Sequence, residues 1–336
     1  MPFFSVILAT RDRPQLSAEA FDSILAQGCQ DFEVVIVDDG TSEENWQQYQ
    51  GWIEPARARL GDRLQVHRLV RRPNGHGQSY SINFGAAHAR GTYLAILDDD
   101  DTWTDSGHLA RAKAALEEQP GADLYMANQE AFLLGKPVGE KLWLSALEGR
   151  LQAAGELPEA DGTYAVGVRD LTGTPGFCHV NCLIVRRGLF EAIGGMDEGI
   201  RWECDRDLFL RLIDKAGVML HNPAPVARHN VPDPSKTANM TTAMPMLQKR
   251  LHQLRVVEKA ALFSSREPIR REGFKHRGFV MKKIADELAA SGDWAAAAHY
   301  ARSALGAGPT AGWAAKTAWY SLKGIVSPRA KGAQTE

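Results

Sequence analysis

Four consecutive aspartates, Asp98 to Asp101, follow the apolar run Tyr93-Leu94-Ala95-Ile96-Leu97. Adjacent like charges repel, and each buried ion costs several kcal/mol unless a counter-charge stands beside it. A divalent cation is the simplest such counter-charge. Hard oxygen ligands at a strand end suit Mg²⁺ or Mn²⁺ bridging to a phosphate. A solvated acidic turn, with Thr102 or Asp105 capping the next helix, is the alternative. A second acidic turn, Asp38-Asp39-Gly40, closes another apolar run, and Glu203 and Asp205 stand just before an apolar helical pattern. No GxGxxG follows the first strand and no GxxxxGK[ST] occurs, so no glycine cradle is there to hold phosphates. A metal on the aspartates is left to do that work.

The elements that must position these residues follow from their periods. Phe3 to Ala9 reads as a buried strand. Pro14 opens a helix in which Leu16, Ala20, Ile24 and Leu25 share one face, and Gly28 ends it. Phe32 to Val37 reads as the second strand, so this strand–helix–strand unit predicts a parallel pair in an α/β sheet. Trp46 to Leu60 and Ser79 to Ala89 read as helices, Leu64 to Leu69 and Tyr93 to Leu97 as strands, and Arg71 to Gly77 as a loop. Three polar loops, Thr10-Arg11, Asp38-Asp39 and Asp98 to Asp101, then converge beyond the carboxyl ends of the strands, where open α/β sheets bind ligands. Farther along, His108 to Glu118 reads as a helix and Asp123 to Asn128 as a strand. Residues 135–176 lack a period and read as loops and short elements near an acceptor. Cys182 to Val185 is expected as a strand, with a short helix at Arg187 to Ile193. The helix expected at Asp205 to Ala216 turns Leu208, Leu212 and Ile213 inward, and a last strand at Val218 to Leu220 leads toward His229. From Met246 onward the pattern is all helical.

The 336 residues, 44% hydrophobic and 24% charged, are those of a globular protein of one large domain and an appendage. A net charge of −2 conceals an asymmetry: residues 249–336 hold 16 Lys/Arg against 7 Asp/Glu, and the preceding residues hold 23 against 34. A basic helical tail on an acidic body points to an anionic partner such as a membrane surface, or to a solvated face. No nucleic-acid partner is expected. Cys29, Cys178, Cys182 and Cys204 include no CxxC pair, and they read as free thiols of a reducing compartment. No apolar run is long enough to span a bilayer, and Met1-Pro2-Phe3-Phe4 leads directly into a strand rather than a signal peptide. The expected location is the cytoplasm, with peripheral contact at the inner face of the membrane through the basic C-terminal helices.

The blocks "SVILATRDRP", "AFDSILAQGCQDFEVVIVDDGTSE", "NFGAAHARGTYLAILDDDD" and "LIVRRGLFEAIGGMDEGIRWECDRDLFLRLID" resemble, in order, family 2 glycosyltransferases over roughly residues 4–230. The resemblance implies a GT-A fold, a Rossmann-like nucleotide-diphospho-sugar transferase domain, over residues 1–245. The helical extension at 246–336 is similar to a tetratricopeptide hairpin. The implied activity is transfer from a UDP- or dTDP-sugar, with inversion and Mn²⁺ or Mg²⁺, to a hydroxyl of a glycan or lipid-linked acceptor in surface polysaccharide biosynthesis. By the same resemblance Thr10, Arg11, Asp39, Asn83 and Asp99 line the nucleotide, with Asp39 accepting from the base. Asp98 and Asp100 fall on the metal motif, its register left open within Asp98–Asp101, and His229 is a further ligand. Asp205 aligns with the base that deprotonates the acceptor. Cys204 departs from the family's Glu at its position, which makes Glu203 the rival base. Trp202 would stack on an acceptor sugar, and residues 229–242 would order over the donor. Asp207 is expected to pair with Arg211. The competing readings are a sugar nucleotidyltransferase, whose Gly-rich first loop Ala9-Thr10-Arg11-Asp12 lacks, and a non-catalytic glycan-binding scaffold.

Overall fold

A computed structural model describes residues 1–138, 143–235 and 240–326. Its first compact unit is Met1–Asp233 and its second Pro234–Glu336. The chain opens with β1 (Phe4–Thr10), α1 (Pro14–Leu25), β2 (Phe32–Asp38), α2 (Glu43–Leu60), β3 (Leu64–Arg68), α3 (Gln78–His88) and β4 (Tyr93–Asp98). β1, β2 and β4 are apolar at nearly every position and buried on both faces, as parallel strands beneath helices must be. Pro14 supplies the preset φ at the start of α1, and the Ser42 hydroxyl caps α2 by accepting from the Asn45 N–H at 3.3 Å.

The chain continues with β5 (Thr102–Trp103), α4 (His108–Glu118), β6 (Ala122–Leu133), β7 (Lys136–Pro137), α5 (Leu147–Ala153), β8 (Tyr164–Ala165), α6 (Val168–Gly173), β9 (Leu183–Arg186), α7 (Arg187–Ala192), α8 (Cys204–Lys215) and β10 (Val218–Val231). These strands make one sheet in the order β3-β2-β1-β4-β9-β6-β10-β5, with β7 beside β6 and β8 beside β10. β1 is parallel to β2 and to β4, and its register sets Thr10 against Asp38 and Ala9 against Asp98. The three polar loops therefore leave the sheet at one edge. β9 runs antiparallel between β4 and β6, while β10 is parallel to β6 and delivers His229 to the same edge.

Two expectations change. Thr102 does not cap a helix: Thr102 and Trp103 pair with Arg228 and Ala227 as a short strand, and α4 starts only after Gly107. The last strand runs far past Leu220. Pro223 and Pro225 break the alternation that marks a strand, and the sheet absorbs them as register shifts between His221 and Ala227.

The second unit comprises α9 (Met240–Ala243), α10 (Met246–Phe263), α11 (Glu267–Ala290), α12 (Trp294–Ala307) and α13 (Ala311–Val326). Leu254, Val257, Ile284, Ala297, Ala301 and Tyr320 belong to its core. Alanines at 297, 298, 301 and 304 let the α12 backbone approach its neighbours closely.

Candidate active site

The four aspartates at the end of β4 are held by several partners, and Arg13 and Asn181 each bond two of them. Asp98 accepts from the Gln78 side chain at 2.6 Å, and its own N–H donates to Asn181 Oδ1 at 3.0 Å. Asp99 accepts from the Thr10 hydroxyl at 2.7 Å and from Arg13 Nη1 at 3.0 Å. The same Arg13 nitrogen donates to Asp100 Oδ2 at 2.9 Å, so one guanidinium bridges two of the four charges. Asp101, fully buried, accepts from Asn181 Nδ2 at 2.6 Å, from His229 Nδ1 at 2.7 Å and from the Asn230 N–H at 2.7 Å. The charges are under-compensated. Burial, then the charges of Asp101 and Asp100, push the Asp98 carboxyl well above the usual carboxylate range. Burial and the charges of Asp99 and Asp101 push Asp100 up to about 7, despite Arg13. Carboxylates held this way are where a cation binds most readily.

Two histidines close over the cluster. The ligand atoms of Asp98, Asp101 and His179 lie within 4.8 Å of one another. His179 Nε2 is 3.9 Å from Asp98 Oδ2 and 3.6 Å from Asp205 Oδ2, so this ring stands between the aspartate cluster and the expected base. Its Nδ1 accepts a long 3.4 Å bond from the Asn181 N–H, which leaves Nε2 facing the carboxylates. His229 is set the other way: Nδ1–H donates to Asp101 and leaves Nε2 with the lone pair. A carboxylate–histidine pair of this kind is what orients a metal-binding imidazole. Burial opposes charging of His229, but its bond to Asp101 and the charges of Asp101, Asp98 and Asp100 raise its pKa overall. The two rings are 5.1 Å apart, and Trp143 lies edge-on to both. Two carboxylate oxygens and an imidazole nitrogen form a mixed O/N donor set that fits Mn²⁺ better than Mg²⁺, which prefers oxygen throughout.

The two rival bases are separated by the start of α8. Glu203 precedes the helix in the left-handed region (φ 57°, ψ 32°), and its carboxylate turns to Arg206 at 3.6 Å. Asp205, in the first helical turn, presents Oδ2 to His179 instead. Asp207 is buried and pairs with Arg211 at 2.8 Å, and Arg211 also donates to the carbonyls of Ile193 and Gly195. Trp202 is half-buried on the segment entering α8.

On the nucleoside side, Asp39 is nearly buried. It accepts from the backbone N–H of His76 at 2.8 Å and of Gly77 at 2.9 Å, and from His76 Nδ1 at 2.7 Å. Gly75, at φ 62°, is wedged between Arg11 and Asp39: a methyl group there would strike Arg11 Nη1 and Asp39 Oδ2. Arg11 donates to the carbonyls of Arg72 and Pro73 at 2.7 and 3.1 Å. Asp38 caps its own turn by accepting from the Thr41 N–H at 2.9 Å. Asn83 stands apart from the cluster. Its amide donates to the Met196 carbonyl and Glu198 and accepts from the Met196 N–H, pinning α3 to the loop that follows α7. The expected closure of residues 229–242 falls partly on 236–239, outside the described residues.

Sequence reasoning missed His179, Arg13 and Asn181. His179 stands between Cys178 and Cys182, which read as free thiols, and both thiols are buried against backbone carbonyls. Arg13 was readable as the nearest cation to the strand-end carboxylates only with the register of β1 against β4 in hand.

The family model for glycosyl transferase family 2 matches residues 5–194, more than half of the chain. The chain belongs to glycosyl transferase family 2. Among curated relatives, a "PGL/p-HBAD biosynthesis glycosyltransferase" of Mycobacterium bovis strain BCG is 28% identical over 228 residues, 68% of this chain and 73% of the relative. Among solved structures, S. aureus TarS 1–349 in complex with UDP-GlcNAc superposes with a TM-score of 0.61 at 14% identity, over 97% of this chain and 88% of that one. The match spans 53% of the longer TarS chain. The mannosyltransferase PcManGT of Pyrobaculum calidifontis, in complex with GDP-Man and Mn²⁺, superposes with a TM-score of 0.58 at 18% identity, over 98% and 82% of the two chains. At these identities the structural likeness fixes the GT-A fold of this family 2 member and no more.

Proposed function

We propose that this family 2 transferase moves a sugar from a UDP- or dTDP-sugar to a hydroxyl of a glycan or lipid-linked acceptor, with inversion, in the building of a surface polysaccharide. The observation that carries the reading is the under-compensated run of carboxylates at the end of β4, with Asp205 facing it across His179. Asp98 and Asp101 would hold Mn²⁺ or Mg²⁺ with a histidine, and Asp100 lies beside them on Arg13. When bound, the ion neutralises charge that builds on the departing diphosphate. Asp205 takes the proton of the acceptor hydroxyl while that oxygen bonds to the anomeric carbon, and the bond from that carbon to the diphosphate oxygen breaks on the opposite face. Glu203, turned to Arg206, is the less suited base. Thr10 and Arg13 hold Asp99, which ties the β1 loop to the aspartate cluster.

Asp39 has four lone-pair positions, and its neighbours on the loop take most of them. The remaining capacity suits one donor, such as the imide N–H of uracil or thymine. The relatives' fold alone would admit other bases, since PcManGT was captured with GDP-Man. Trp202 is assigned to the acceptor side and Asn83 to positioning. The enzyme works at the cytoplasmic face of a membrane, which its basic C-terminal helices contact. The test is incubation with a panel of UDP-, dTDP-, GDP- and CDP-sugars and Mn²⁺, with mass spectrometry of the products. Turnover of a UDP- or dTDP-sugar that stops on chelation is expected. Metal-independent turnover, or preference for a GDP- or CDP-sugar, would overturn the reading of the metal or of Asp39 respectively.

A further inference from the structure

α13 has two apolar faces where one would serve. Its inward face is complete: Trp313, Thr317 and Tyr320 are buried, Trp313 Nε1 donates to the Ala301 carbonyl at 3.0 Å, and the Tyr320 hydroxyl donates to Asp286 at 2.8 Å. The outward face should then be polar, as on any helix lying over a core. It is not. Trp319, Leu322, Ile325 and Val326 are 48%, 61%, 82% and 71% exposed, and Ala311, Ala315 and Ala318 extend the same stripe. Lys323 is the only charged residue among the exposed positions of the helix.

Within the last segment of the chain the charge has one sign. Residues 294–335 contain five Lys/Arg and no Asp or Glu. Lys323 Nζ lies 5.9 Å from the rings of Trp294 and Trp319, whereas Lys316, on the same flank of the helix, is paired with Asp286 at 2.8 Å. No helix among the described residues is long and apolar enough to cross a membrane. An exposed apolar stripe with an aromatic and a lysine at its edge and no acidic residue in the helix is instead the pattern of a helix lying in the plane of a bilayer interface. Pairing with a second copy would set basic segments against each other with no carboxylate from 294–335 to meet them. Anionic headgroups supply the missing charge.

We propose that the outward face of α13 inserts into the headgroup region of an anionic bilayer, with Trp319, Leu322, Ile325 and Val326 as the buried contacts and Lys323 on the lipid phosphates. This deepens the reading of the C-terminal helices as a membrane contact and names the helix and face that make it. The test is co-sedimentation of the full chain with vesicles of mixed phosphatidylglycerol and phosphatidylcholine, and with vesicles of phosphatidylcholine alone. Wild type is expected to bind the mixed vesicles and to bind the neutral ones at least about tenfold more weakly. L322D/I325D is expected to lose about tenfold or more of the binding to mixed vesicles. K323Q, which leaves the apolar stripe intact, is expected to lose it several-fold, with an unchanged melting temperature. UDP binding in Mn²⁺ is measured on each variant and should stay at the wild-type value, so failure of the transferase reading and failure of the membrane contact are told apart. Absence of binding to mixed vesicles, or full binding by both variants, overturns the proposal. So does a wild-type dimer by light scattering that L322D/I325D converts to monomer, since the stripe is then a self-association surface.

Discussion

At the scale of single residues, the site turns on which carboxylate or imidazole faces which. Asp205 and Glu203 are two positions apart, yet the left-handed backbone at Glu203 swings its carboxylate to Arg206, while Asp205 meets His179. Asp205→Asn keeps the shape and cannot take a proton. Its turnover is expected to fall by about 10²–10⁴, the usual worth of a general base, with UDP and Mn²⁺ affinity unchanged by calorimetry. Glu203→Gln should lose far less; the opposite ranking would move the base to Glu203. The two histidines differ in what they face. His229 gives its Nδ1 proton to Asp101, so His229→Ala is expected to weaken Mn²⁺-dependent UDP binding by about 10–100-fold, the range seen when the surroundings of a metal are disturbed. His179 belongs to the group whose ligand atoms lie within 4.8 Å of one another and also faces Asp205, so His179→Ala is expected to lower both Mn²⁺ affinity and kcat. If neither substitution changes Mn²⁺ affinity, the ion is held without a histidine.

At the scale of elements, the loop between β3 and α3 is built on the carboxylate of Asp39. Gly75 packs where any side chain would part Arg11 from Asp39, and its positive φ disfavours other residues as well. Gly75→Ala is therefore expected to weaken UDP binding about tenfold or more in titration calorimetry while leaving the melting temperature close to wild type. Unchanged affinity would mean that the loop plays no part in holding the nucleoside. This loop also marks where sequence reading stops. Arg71 to Gly77 was legible as a loop from its glycines and proline, but nothing in its period says that His76 and Gly77 would bond Asp39. The parallel strands β1, β2 and β4 were legible almost to the residue, because burial on both faces writes an unbroken apolar run. β10 was cut short in the reading at Leu220, because Pro223 and Pro225 erase the strand pattern that the sheet tolerates as a bulge. The expected Asp207–Arg211 pair is present because its i,i+4 spacing is local. His179 and Asn181 escaped notice because they act across some 80 residues of sequence.

At the scale of the whole molecule, the ionisation of the aspartate cluster should couple metal binding to stability. Burial raises Asp98, Asp99 and Asp100 in the metal-free fold, with Asp100 at about 7 against an ordinary value of 3.8. Between those values the folded chain holds a proton at Asp100 that the unfolded chain has released. This contribution is fully present below about pH 4 and is lost as pH rises through about 7. Two buried histidines act with the opposite sign. Burial lowers His108 to about 3 and His221 to about 4, so unfolding takes up protons there below about pH 6.5 and stability falls with acid. The two effects partly cancel without metal, and the metal-free melting temperature should be rather flat between about pH 5 and 7. Mn²⁺ removes only the first effect, because it binds the ionised carboxylates and must displace their protons to do so. The rise in melting temperature given by Mn²⁺ is thus expected to be small near pH 5 and to grow through about pH 7, measured by differential scanning calorimetry on the full chain with matched chelator controls. Asp98→Asn should abolish the rise at every pH. A Mn²⁺ increment that does not change with pH, or that survives Asp98→Asn, would place the stabilising ion somewhere other than this cluster.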